Sequence, residues 1–301
     1  MVYRSEILEA YLNSIFIRLN LKNYFTFIHN YYRTYTNYTK IIKARVLNKF
    51  PIEAILRDNR KVILEDQIIA YYYSVFYNKF KNIKINESYL EFDYNNRNIR
   101  LFGWKFGDPA SVFASSDYDF LNIKDKVVVD IGASIGDSPI YFALNGAKKV
   151  IAFEPFPKIF TLARKNLEEN HLQDKIVLVN AGCGYDGKVR VRGDLQTDAG
   201  TQLIEYGIGV EIPVYSLNTI TRMFDIENAV LKVDCEGCEY DLFRTATNET
   251  LAKFDRIIIE YHYGYKELVK RLKEANFKVK HSSPKRIKKG MILGYITAWR
   301  L

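Results

Sequence analysis

The sequence predicts an α/β protein: a doubly wound, Rossmann-like sheet of seven strands with a C-terminal antiparallel hairpin, preceded by an N-terminal α+β cap. Two observations carry this. Beyond residue 125, short apolar runs alternate with helical segments, the pattern of a parallel sheet covered on both faces. The composition also shifts near residues 100–125: none of the 16 glycines precedes Gly103, whereas 13 of the 23 tyrosines lie in residues 1–102. The 301 residues therefore divide into a cap, 1–115, and a larger domain, 116–301.

In the cap, Ile7, Leu8, Tyr11, Leu12, Ile15, Phe16 and Leu19 recur at helical spacing, and such a helix would pack on the core, anchor at a membrane surface or dock a partner. A second helix is expected over residues 20–46. Residues 52–56 and 61–64, joined around Asp58-Asn59, read as a hairpin; 66–80 reads as a helix, and 89–102 as a hairpin turning at Asn95-Asn96. In the larger domain, strands are expected at 126–131, 150–153, 176–179, 230–233 and 256–260. Helices fall between most of them, near 138–145, 158–170, 216–224, 238–245 and 265–275. The last two strands, near 277–281 and 292–299, have no helix between them and should pair antiparallel.

Composition narrows the class. Apolar residues at 48% and charged residues at 26% exclude general disorder and fibrous repeats. The longest dense apolar stretch, residues 68–77, is far shorter than the roughly 20 residues of a spanning helix. Glu6 and Glu9 interrupt the region where a signal peptide would be apolar. The three cysteines are too few for a secreted disulfide framework; Cys183 is expected in the core, and Cys235 and Cys238 as reduced thiols beside a strand end. Their C-x-x-C spacing lacks a second Cys or His pair to complete a zinc site. A cytoplasmic location follows from these points.

The net charge of +9 is unevenly spread: residues 1–124 carry +6, 125–265 carry −6 and 266–301 carry +9. An acidic block thus lies between two basic ends. Nucleic acid is the partner such a total raises, but Lys285, Arg286, Lys288 and Lys289 lack interleaved aromatics and read as a solvated loop in the final hairpin.

The strongest local signal is Val127-Val128-Val129-Asp130-Ile131-Gly132-Ala133-Ser134-Ile135-Gly136. An apolar strand ends in an acid, and a glycine turn then opens a helix. Gly132 and Gly136 would let a ligand approach the backbone. The acid before the turn disfavours a pyrophosphate and favours S-adenosylmethionine, whose methionyl end carries an ammonium and a sulfonium. Glu154 ends the next strand at the interval where an acid captures ribose hydroxyls. Pro155 and Pro157 stop that strand and start a helix.

These residues resemble a known family. The segments from Asp130 to Asp137, Phe153-Glu154-Pro155-Phe156 and Leu231-Lys232-Val233-Asp234-Cys235-Glu236-Gly237 look like the three signature segments of FkbM-type methyltransferases. That family comprises class I S-adenosylmethionine-dependent enzymes that usually methylate hydroxyl oxygens of sugars or natural products. The resemblance covers residues 118–265, with Ser134 where the family usually has Asn. It implies that Asp130, Gly132, Ala133, Ser134 and Gly136 border the methionyl part and that Glu154 and Pro155 lie at the ribose. It further implies Phe156 against the adenine, and Asn180 and Ala181 at the adenine edge. Asp137 and Ser138 would touch the cofactor or simply cap the helix. The stretch Thr197 to Thr201 resembles the family's variable loop facing the acceptor.

Methyl transfer needs an aligned nucleophile and a base for its proton. Asp234 and Glu236 end the fourth strand, and Glu260 and His262 end the fifth, so these four should converge at the sheet edge where open α/β folds bind ligands. His262 suits a general base by its ordinary pKa, with a strand-end histidine bonded to a backbone carbonyl as the plainer reading. Asp234 would orient the cofactor's amino group or the acceptor. A divalent metal is not favoured, because no carboxylate trio sits on one segment.

The expected function is S-adenosylmethionine-dependent O-methylation of a small-molecule or glycan hydroxyl. The alternatives are an RNA methyltransferase using the basic ends, and a non-catalytic cofactor-binding module. The sequence leaves the acceptor and the oligomeric state open.

Overall fold

The computed structural model describes residues 21–115, 117–192, 209–288 and 291–300. The expected helix over 7–19, the loop Thr197–Thr201 and Lys289 lie outside the described residues. The single helix expected over 20–46 is two, Leu21–Thr34 and Tyr38–Val46. Tyr35 breaks it by bridging to Leu56, and the Asn37 side chain holds the hairpin by accepting the Ile55 N–H at 3.0 Å and donating to the Glu53 carbonyl at 3.1 Å. That hairpin pairs β1 (Ile52–Ile55) with β2 (Lys61–Leu64). The helix Gln67–Phe76 follows, its first turn capped by Asp66, which accepts the N–H groups of Ile68 and Ile69.

The cap's main sheet contains β3 (Lys81–Ile85), which the sequence reading missed, beside β4 (Tyr89–Tyr94) and β5 (Arg97–Phe102). Asn95 and Asn96 turn β4 into β5 with φ of 48° and 60°, the left-handed pair of a two-residue hairpin turn. The free edge of β5 is closed by amide side chains rather than by another strand. Asn166 accepts the Phe102 N–H at 2.8 Å and donates to the Phe102 carbonyl at 3.0 Å; Asn170 does the same for Arg100 at 3.0 and 2.8 Å. Both project from the helix Pro157–Glu169 and its C-terminal cap. Cap and larger domain share one continuous core, running from Tyr31, Phe92 and Phe113 to Tyr141, Val128 and Ile258.

The larger domain follows its predicted alternation. Its strands are β6 (Val127–Ile131), β7 (Lys149–Phe153), β8 (Ile176–Val179), β9 (Gly182–Cys183), β10 (Gly187–Val191), β11 (Val210–Tyr215), β12 (Ala229–Val233), β13 (Phe254–Tyr261), β14 (Lys278–His281), β15 (Lys285–Lys288) and β16 (Met291–Trp299). The central order is β14-β16-β13-β12-β6-β7-β8, with β15 also on β16. Strands β8, β7, β6, β12 and β13 run parallel; β16 is antiparallel to β13, and β14 is antiparallel to β16. This is the predicted doubly wound sheet with its closing antiparallel pair. Buried on both faces, β6 and β12 need the continuous apolar runs they have. The segment read as a solvated basic loop is instead strand β15, because Lys285 and Arg286 take ladder positions opposite Leu293 and Ile292. Strands β9, β10 and β11 form a small side sheet. Among the described residues no helix is long and apolar enough to cross a membrane.

Candidate functional site

The chain runs β6, β7, β8 in one direction and then returns to place β12 on the other side of β6. Such a reversal opens a crevice at the strands' C-terminal ends. Here it is an open cleft with about 1090 Å³ of empty space, solvent at its mouth included. At its floor the turns after β6 and β12 touch: a Cβ on Gly132, whose φ is 84°, would lie 1.7 Å from the Asp234 carbonyl oxygen. Only glycine permits that approach. Gly136 serves a different contact, since a Cβ there would meet Leu167 of the helix Pro157–Glu169 at 2.9 Å.

One wall is built from the ends of β6 and β7. The Glu154 carboxylate accepts the Ser134 N–H at 3.0 Å and the Phe156 N–H at 2.9 Å. Burial pushes its carboxyl up to about 8. Asn180 donates to the carbonyls of Glu154 and Pro155, both at 2.9 Å, and so clamps the backbone carrying that carboxylate. Gly132, Ser134, Asp137, Ser138, Glu154, Pro155, Phe156 and Ala181 all border the cavity. Of the residues expected at the cofactor, Asp130, Ala133, Gly136 and Asn180 are not among those that border it.

Asp130 has another occupation. Fully buried, it lies 3.0 Å from the Lys232 ammonium and accepts the Ser138 hydroxyl at 2.6 Å. Lys232 also donates to the Gly132 carbonyl at 2.6 Å. Burial would lower the Lys232 ammonium, but the charges of Asp130 and Asp234 outweigh it and hold the group above its usual range. Lysine is almost never this buried unless paired, and its place in an otherwise apolar strand was the signal for the pair.

The outer wall comes from a segment assigned to the cap. Ser134 donates to the Phe106 carbonyl at 3.2 Å, and Asp137 accepts the Asp108 N–H at 3.0 Å. Phe106 and Asp108 therefore face the cavity, as does Tyr118 just beyond the cap boundary. Burial raises Asp137 to about 7. Sequence reasoning did not find this wall.

The opposite wall belongs to the ends of β12 and β13. Asp234, Glu236 and Glu260 border the cavity, as does Tyr295, which hydrogen-bonds Glu260. Burial and then the Asp234 charge push Glu260 up to about 8. His262 Nε2 lies 3.3 Å from Glu236 and 3.8 Å from Asp234, so the predicted convergence of these groups holds. The reading of His262 as a general base gains no support from its position. His262 is fully buried, does not border the cavity, and shares its Nδ1 with Glu239 at 3.2 Å. Burial alone would lower the ring, but the Glu236 and Glu239 carboxylates on either side of it outweigh that and raise it to about 11. Glu239, which the sequence reading missed, also accepts the N–H groups of His262 at 3.0 Å and Gly237 at 2.8 Å. Its position in the first turn of the helix Cys238–Thr245 was the available clue.

The two cysteines are also corrected. Cys235 and Cys238 form a disulfide, with Cα atoms 5.5 Å apart. Glu236 at φ 56° and Gly237 at φ 119° fold the segment back and bring the thiols within bonding reach. Thiol chemistry therefore gives no support for a reducing compartment. Cys183 is free and buried, as expected, and lies against the cavity.

The profile of the methyltransferase FkbM domain matches residues 130–279, which span the cavity's strand-end walls. A ribosomal protein L11 methyltransferase of Carboxydothermus hydrogenoformans is 43% identical over 54 residues, 18% of each chain. An uncharacterized protein, 158B, of Sulfolobus islandicus rod-shaped virus 1 is 38% identical over 60 residues, 20% of this chain and 38% of that one. The chain thus spans well under two thirds of the curated relatives it matches. Among solved structures, TrmK of M. capricolum bound to S-adenosyl-homocysteine is similar at TM-score 0.41 and 14% identity, covering 63% of this chain and 70% of that one. Through residues 130–279 the chain belongs to the FkbM methyltransferase family.

Proposed function

We propose that the chain is an S-adenosylmethionine-dependent methyltransferase acting on a hydroxyl oxygen of a sugar, glycan or other small molecule. The observation that carries this is one cavity at the switch point, inside the family-matched segment, with Glu154 on one wall and Asp234 and Glu260 on the other. Glu154 takes the ribose hydroxyls, Phe156 and Ala181 bound the adenine, and Gly132 and Ser134 face the methionyl part. Asp130 acts indirectly, by pairing with Lys232 and shaping the turn after β6.

The acceptor then sits under the wall of Asp234 and Glu260. Its oxygen attacks the methyl carbon in line, the sulfur–methyl bond breaks, and the hydroxyl proton passes to a base. Glu260 is the base in this reading: it borders the cavity, and burial and the Asp234 charge raise its carboxyl to about 8. Asp234 orients the acceptor or the cofactor's amino group.

Transfer of a labelled methyl group from S-adenosylmethionine to hydroxyl-bearing acceptors tests the reaction. Glu260→Gln should lower kcat by about 100-fold or more, the range of general-base contributions, with S-adenosyl-homocysteine affinity unchanged. Full activity in that variant would remove Glu260 as base. Labelling of RNA instead of hydroxylated small molecules would change the acceptor class, and cofactor binding without any transfer would support the non-catalytic reading.

A further inference from the structure

Three side chains of the acidic wall converge without satisfying one another. His262 is fully buried, and its Nε2 faces Glu236 at 3.3 Å and Asp234 at 3.8 Å. Yet neither His262 Nε2 nor Glu236 Oε2 has a hydrogen-bond partner. Leaving a buried polar atom unsatisfied costs about 1–3 kcal/mol, so the arrangement has room for a ligand that all three would share. One donor atom each from Asp234, Glu236 and His262 lies within 4.8 Å of the others.

The far side of the ring is already anchored. Glu239 is fully buried, lies 3.2 Å from His262 Nδ1, and is itself fixed by two backbone N–H groups. A carboxylate holding one imidazole nitrogen so that the other points at a cation is the usual support of a metal-bound histidine. The ligand-count objection raised by the sequence fails for a topological reason. The donors come from two neighbouring strand ends, β12 and β13, not from one segment.

We propose that Asp234, Glu236 and His262 bind one divalent transition-metal ion of the Mn²⁺ type at the acceptor end of the cavity, the ion displacing the His262 Nε2 proton to solvent and Glu239 orienting the imidazole. The donor set selects the class. An imidazole argues against Ca²⁺ and Mg²⁺, which prefer oxygen alone, and two carboxylates suit Mn²⁺. Thiolates are not on offer, because Cys235 and Cys238 are bonded to each other. Asp234 and Glu236 border the cavity, so the ion's remaining positions face it. There an acceptor hydroxyl would be polarised and more readily deprotonated. The ion site stands on the geometry of these four side chains; only its role toward an acceptor rests on the methyl-transfer reading.

The test uses the full chain, disulfide intact, stripped with a chelator and titrated with Mn²⁺ by calorimetry and by electron paramagnetic resonance of the free ion. One ion per chain is expected. Asp234→Asn and Glu236→Gln should each weaken binding at least tenfold, and Glu239→Gln by about 10–100-fold, the range for groups that support a ligand. Circular dichroism and a cooperative thermal transition report that the variants fold; Asp234→Asn, at a partly exposed side chain, is the mildest change. Absence of saturable binding at millimolar Mn²⁺, or undiminished binding in both Asp234→Asn and Glu236→Gln, overturns the site. Mn²⁺ binding without methyl transfer to any acceptor would leave the site and remove the methyl-transfer reading. Methyl transfer by stripped protein that binds no Mn²⁺ would do the reverse.

Discussion

The two strand-end walls of the cavity are built on opposite terms. On the β6–β7 wall the carboxylate that faces the cavity is satisfied: Glu154 takes two backbone N–H groups, Asn180 clamps the carbonyls beside it, and behind them Asp130 Oδ1, without a hydrogen bond, is met by the Lys232 ammonium at 3.0 Å. On the β12–β13 wall, His262 Nε2 and Glu236 Oε2 are left without hydrogen bonds, and Glu236 sits in a left-handed conformation that costs a side-chain residue of order 1–3 kcal/mol. A wall that satisfies itself can hold an uncharged group such as a ribose in a fixed pose. A wall that does not is where a further ligand and the chemistry belong. Lys232 joins the two, pairing with Asp130 and the Gly132 carbonyl on one side and lying 4.0 Å from Asp234 on the other.

That junction gives the largest expected effect. Lys232→Met strands the fully buried Asp130 without its cation, a loss of about 3–5 kcal/mol for a broken buried pair. Denaturant unfolding measures it, and a loss below about 1 kcal/mol would mean that the walls are not coupled through this lysine. Next comes Glu154→Ala, which removes the group taken to bind the ribose hydroxyls, each such hydrogen bond worth about 0.5–1.5 kcal/mol. S-adenosyl-homocysteine affinity should fall by roughly 10-fold or more, and unchanged calorimetric binding would refute the ribose assignment.

Replacing both Cys235 and Cys238 with Ser should act on the other wall alone. Opening so short a loop should cost about 2 kcal/mol or less on chain-entropy grounds, and the cofactor Kd should hold steady. A large rise in that Kd would show that the disulfide supports the cofactor wall too.

The smallest effect is one of pH. Burial holds Glu154 near 8, above the 4.5 of a free glutamate. Between those values the folded chain keeps a proton that the unfolded chain has lost, so this group's stabilisation is present below about 4.5 and declines as pH rises through 8. Asp137, held near 7, adds a slope of the same sign. Glu154→Gln should flatten the fall of Tm with pH, and an identical slope in the variant would place the titration elsewhere.

The two walls also differ in how far the sequence disclosed them. The glycine turn and Glu154 lie within one strand-helix-strand unit, so spacing alone located both, and the strands and crossover helices followed from their apolar runs. What escaped depends on contacts across the sheet. Lys232 meets Gly132 across 100 residues, and Glu239 meets His262 across 23. The outer wall, where Phe106 meets Ser134 across 28 residues, escaped because nothing in the segment around Phe106 marks it as lining a cavity. The surroundings of His262 were half legible for the same reason: its convergence with Glu236 followed from neighbouring strand ends, and Glu239 behind the ring did not.

The most direct measurement is a crystal structure of the chain with S-adenosyl-homocysteine. The ribose hydroxyls should lie within hydrogen-bond reach of the Glu154 carboxylate, with the sulfur facing the space under Asp234 and Glu260. A cofactor bound outside the switch-point crevice, or one whose ribose does not touch Glu154, would contradict the account.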